Sequence, residues 1–107
     1  MTASTVDVNT SADGTLVIHP RGILDAGDAV ALRRTLVQAI RQTRPLRLVL
    51  DLAEVRELDP INLGTLVAAC QIGDDHQVAV FLDHSSMALA DTLTAAGVPR
   101  HPLRHII

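Results

Sequence analysis

Polar and apolar residues alternate at the start of the chain, where Val6 and Val8 are separated by Asp7 and Asn9. This period of two predicts a short, half-buried strand. Ser11-Ala12-Asp13-Gly14 supplies turn chemistry, with Gly14 free to take a positive φ. Leu16-Val17-Ile18 then reads as a second strand, closed by Pro20 and Gly22, and so short a link predicts an antiparallel hairpin. From residue 28 to about residue 42 the spacing becomes helical, with Ala29, Leu32, Leu36, Ala39 and Ile40 on one face. Arg33, Arg34, Gln38 and Arg41 point largely elsewhere. Asp25 or Asp28 can cap this helix, and Pro45 stops it. Residues 46–52 (LRLVLDL) are near-continuously apolar, as suits a strand covered on both faces.

Residues 53–58 read as a connection. Asp59-Pro60-Ile61-Asn62 is the sharpest local signal, a helix start with Asp at the N-cap and Pro at the first helical position. That helix is predicted to run to about residue 72 and stop at Gly73, before a polar turn over Asp74, Asp75 and His76. Residues 78–82 form another apolar strand. Ser85 or Ser86 caps a third helix over residues 87–96, which Gly97 and Pro99 end, and residues 103–107 can add a last short strand.

No linker or repeat divides the 107 residues, so a single domain over 1–107 is expected. Strand–helix alternation after a hairpin predicts an α/β fold: a central mixed sheet of four or five strands, largely parallel, with packed helices and right-handed crossovers. Loops beyond the carboxyl ends of parallel strands collect function. Here these are residues 22–28, 54–62 and 83–86, making Asp25, Asp59 and Ser85 candidate neighbours.

Composition narrows the chemistry. With 48% hydrophobic and 20% charged residues, the chain can pack a core. Twelve acids against nine bases leave a net charge of −3, with no basic stripe for nucleic acid. Every base is Arg, so lysine chemistry is excluded, and Phe81 alone of Phe, Tyr and Trp cannot build a stacking platform. The lone Cys70, in an apolar stretch, reads as a small buried hydrophobe. The first five residues lack the basic and apolar regions of a signal peptide, and no apolar run is long enough to insert directly in a membrane. A cytoplasmic location is therefore expected.

Asp25 and Asp59 could share Mg²⁺ or a proton, but each precedes a helical pattern, and capping is the preferred role. Asp51 near the end of a buried strand suggests a phosphoryl-accepting receiver domain. The absent lysine and the lack of an acidic pair after the first strand reject that idea. His101 and His105 have i, i+4 spacing, yet Pro99 and Pro102 oppose a helix there, so no metal is expected. A nucleophile elbow and a glycine-rich phosphate loop are both missing. Neither an enzyme nor a cofactor is expected.

Three segments together resemble the STAS family of sulphate transporters and anti-sigma factor antagonists: Gly22-Ile23-Leu24-Asp25, Leu48-Val49-Leu50-Asp51-Leu52 and Leu58-Asp59-Pro60-Ile61-Asn62-Leu63-Gly64. The last discriminates best, because the family commonly shows Asp-Ser-Ser-Gly-Leu-Gly there. The resemblance implies a non-enzymatic regulator of transcription that binds an anti-sigma factor with a kinase-like fold. In stand-alone antagonists that partner phosphorylates the second serine and so ends the binding. A phosphate of about −2 charge beside aspartates at a packed helix start repels.

Here Asp59, Leu63 and Gly64 match the motif, while Pro60, Ile61 and Asn62 replace Ser, Ser and Gly. Ile61 has no hydroxyl, and Thr65, one turn on, is the only near substitute. By resemblance, the partner surface comprises Asp25, Asp59, Pro60, Ile61, Asn62, Leu63 and Gly64, with Ile61 and Leu63 as apolar contacts. Alternatively, Ile61 packs on Val55 or Leu58 as a staple. The second functional reading is a STAS module that binds a nucleotide or small ligand, or serves as a cytoplasmic subunit of a transporter.

Overall fold

The computed structural model describes residues 5–107; the side chains of residues 5–7, Val6 included, lie outside the described set, as does the stretch 1–4. Strands β1 (Thr5–Thr10) and β2 (Thr15–Leu24) form the expected hairpin, with Thr10 opposite Leu16 and Gly14 at φ +84° in the turn. Helix α1 (Ala26–Gln38) follows and closes in a π-helical turn, Ala39–Thr43, after which Arg44 takes φ +47° and reverses the chain. Then come β3 (Arg47–Asp51), β4 (Val55–Leu58), α2 (Pro60–Asp75), β5 (Ala79–Asp83), α3 (Met87–Ala96) and β6 (Leu103–Arg104).

Among the described residues the sheet has six strands, where the sequence suggests four or five, in the order β1-β2-β3-β5-β6, with β4 paired to β2. Two expectations fail together here. The second strand does not end at Pro20 and Gly22 but continues to Leu24, and the supposed connection over 53–58 holds β4, parallel to that continuation. Gly22, at φ +83°, sits at an irregularity in register, so the strand bends without ending.

The expected stop at Gly73 is also displaced, since α2 runs on to Asp75. A Cβ on Gly73 would collide with the Val80 side chain and lie 2.9 Å from the Val78 carbonyl oxygen. This glycine serves close approach of α2 to β5 rather than termination.

One apolar cluster joins Ile18, Leu48, Leu50 and Leu82 of the strands to Leu32 and Leu36 of α1, Leu66 of α2 and Leu93 of α3. Side chains alternate across a strand, so the helices cover a single face of the sheet. Val17, Val49 and Phe81, which align across β2, β3 and β5, point to the reverse face. Val49 is buried but stands outside the cluster, so β3 is covered on both faces as residues 46–52 suggest, with the helices on one of them.

Candidate functional site

The loop after β2 and the loop after β4 meet where the first two helices begin. Asp25 caps α1 by accepting from the Asp28 N–H at 3.2 Å, and Asp28 reciprocates by accepting from the Asp25 N–H at 3.1 Å. Asp59 caps α2, its carboxylate accepting from the Ile61 N–H at 2.8 Å. Both aspartates thus take the capping role. Pro60 has no N–H and that of Ile61 is taken, so this helix start makes a poor anion cradle. Ser86, not Ser85, caps α3. The Ser85 hydroxyl is buried without a hydrogen-bond partner among the described residues, and none links it to Asp25 or Asp59.

Asn62 ties the two starts together. Its amide is fully buried and donates to the Leu24 carbonyl at 3.0 Å and the Asp25 carbonyl at 2.7 Å. The Asp59 N–H also donates to the Leu24 carbonyl, at 2.9 Å. Of the surface residues expected from sequence, Asn62 is therefore corrected from a contact to an internal anchor, because a buried amide cannot reach a partner. Leu63 is half-buried and packs on the core, which limits its contact role. Asp25, Pro60, Ile61 and Gly64 remain exposed, with Asp59 partly so.

Ile61 is 59% exposed. It stands outside the apolar cluster against which Val55 and Leu58 pack. Instead it lines a groove of about 270 Å³ between α1 and α2, whose walls include Leu36, Val37, Ile40, Ala68 and Ile72. Thr65 lies in the same groove, its hydroxyl donating to the Ile61 carbonyl at 3.1 Å.

A second constellation, on the reverse face of the sheet, escaped the sequence reading. The Asp51 carboxylate lies 3.1 Å from His84 Nδ1 and 3.9 Å from His19 Nε2, the latter beyond hydrogen-bond reach. Partial burial pushes this carboxyl up, but the Ala53 N–H and the two histidines outweigh that and hold it below its ordinary value. Beside it, Arg104 donates from Nε and Nη2 to the two Asp83 oxygens at 2.8 and 2.9 Å, and its guanidinium stacks 3.9 Å above the Phe81 ring. Among the described residues, no three side chains converge as a metal site. Burial, with Asp74 nearby, pushes the Cys70 thiol up to about 11, so it is not a reactive thiolate.

The sequence matches the family model described as the STAS domain over residues 7–106. The chain belongs to the STAS domain family. Its fold is similar to that of the Bacillus cell fate determinant SpoIIAA in the phosphorylated form (TM-score 0.80, 14% identity, 96% of this chain and 92% of that one). It is also similar to an anti-sigma factor antagonist from Mycobacterium paratuberculosis (TM-score 0.76, 25% identity, 94% and 85%). A sulfate transporter family protein from Wolinella succinogenes is similar in fold as well (TM-score 0.74, 16% identity, 92% and 82%). No curated protein sequence matches the chain. No helix among the described residues is long and apolar enough to cross a membrane.

Proposed function

We propose that this STAS domain is a non-enzymatic, cytoplasmic regulator that binds a partner through the start of α2, acting as an anti-sigma factor antagonist. The partner is an anti-sigma factor with a kinase-like fold. The observation that carries the proposal is Ile61: a large apolar side chain, mostly exposed, on the first turn of α2. By resemblance it occupies the position of the phosphorylatable serine, so the usual switch has no hydroxyl to act on. Binding on this face is then constitutive, and control falls on the partner or on protein abundance.

Asp59 and Asn62 hold the turn in place, Asp25 and Pro60 border it, and Leu63 and Gly64 continue it along the helix. The occupied N–H of Ile61 argues against a nucleotide phosphate at this helix start. A second reading, a cytoplasmic subunit of a transporter, draws support from the similarity to a sulfate transporter family protein.

Affinity capture from the source organism's lysate, with Ile61→Glu as control bait, separates the readings. Capture of a histidine-kinase-like ATPase that the variant loses supports the antagonist. Transporter subunits in its place support the second reading. Incubation of the domain with the captured ATPase and ATP is expected to add no phosphate, and phosphate localised to Thr65 would overturn the unswitched account.

A further inference from the structure

The groove between α1 and α2 continues into a shallower depression along α1, of about 310 Å³, that shares Arg33, Val37 and Ile72 with it. Together they make one concave strip. Arg33, Arg34 and Arg41 border it, and no carboxylate lines either part. Among the described residues, none of these three arginines has a carboxylate partner. These three are a third of the nine bases in a chain whose net charge is −3. Val30, 65% exposed, extends the apolar strip along α1.

Gly64 adds an independent observation. It sits inside α2, where glycine costs up to about 1 kcal/mol relative to alanine. Nothing lies within 4 Å of the position a Cβ would take, so the domain's own packing does not require the missing side chain. The empty space opens into the groove, one helical turn from the exposed Ile61.

We infer that this groove receives an amphipathic helix of a partner protein, with an apolar ridge seated against Val37 and Ala68, a side chain lodged over Gly64, and acidic flanks facing Arg33, Arg34 and Arg41. The walls are two helices whose backbones are already hydrogen-bonded within themselves. An extended peptide would find no ladder there and would leave its own backbone groups unpaired, whereas a helix brings its hydrogen bonds with it. The concavity favours an inserted ridge over a lipid surface, and the unpaired arginines select acidic flanks. This rests on the reading of the α2 start as a partner face, because Ile61 belongs to both.

The test uses the full chain and a designed helical peptide of about 18 residues, with leucines on one face and glutamates flanking them, against the same peptide with lysines for glutamates. Calorimetry is expected to show the glutamate peptide binding at least about tenfold more tightly. Gly64→Leu, which fills the recess, and Arg33→Glu, on the rim, are each expected to weaken it at least about tenfold without lowering the melting temperature. Equal affinity for both peptides, or no saturable binding of the glutamate peptide, overturns the inference. So does Arg33-dependent binding to phosphatidylglycerol vesicles in place of the peptide, or a concentration-dependent dimer abolished by Gly64→Leu. If the captured ATPase is lost with Ile61→Glu but kept with both Gly64→Leu and Arg33→Glu, the α2 docking face stands and the groove inference alone falls.

Discussion

On the reverse face of the sheet, Asp51 is engaged by His84 and Asp83 by Arg104, whereas on the helical side Arg33, Arg34 and Arg41 border an apolar groove without a carboxylate partner among the described residues. The first arrangement satisfies its charges within the chain and ties β6 to β5. The second leaves charge and apolar surface together at one place, beside the exposed Ile61. Internally paired groups support the fold, while unpaired ones beside exposed apolar surface are those a partner can complete.

The largest expected contrast lies under the sheet itself. Leu50→Ala, in the helix-covered cluster, is expected to cost about 3 kcal/mol, and Val49→Ala, on the reverse face, about 1.5 kcal/mol. Urea unfolding measures both, and equal losses would show that the two faces contribute alike. Next comes a pair of arginines. Arg104→Met removes the guanidinium from the buried Asp83 carboxylate and should cost about 2 kcal/mol. Arg33→Met, with no carboxylate to abandon, should shift stability by less than about 0.5 kcal/mol. A comparable loss at Arg33 would reveal a structural role that the groove reading denies it.

A smaller effect belongs to pH. The carboxyl of Asp51 is held low in the folded state, so its contribution is fully present above the unfolded pKa and lost as pH falls through the folded one. The window is therefore below about pH 4. Asp51→Asn should flatten the acid side of the stability profile there, and an unchanged profile would show that the carboxylate adds nothing to the reverse face.

Much of this was legible in the sequence because it is local. The Asp59-Pro60 helix start, the turn at Gly14 and the apolar run of β3 each declare themselves within a few residues. β4 did not, because Val55 and Leu58 enclose the polar Arg56 and Glu57 and its order comes from pairing with the end of β2. That end was hidden in turn, since Pro20 and Gly22 look like terminators until the register is known. The proposed docking face was half legible. Ile61 stood out against the serine of the resembling family, but an amide such as Asn62 looks the same in sequence whether it is buried or exposed. The reverse-face constellation follows from alternation, with His19, Asp51 and Asp83 each two residues beyond Val17, Val49 and Phe81, once the strands are aligned. The groove needed the packing of α1 on α2, which pairs residues some thirty positions apart, on the order of a whole strand–helix unit.

The most direct test of the proposed docking face sets Ile61→Glu against Asp51→Asn as baits for the proposed histidine-kinase-like ATPase, with each variant's fold checked by circular dichroism. The account predicts that Ile61→Glu loses the ATPase while its stability moves by less than about 0.5 kcal/mol, and that Asp51→Asn retains it. Retention by Ile61→Glu together with loss by Asp51→Asn would place the partner on the reverse face and contradict the account.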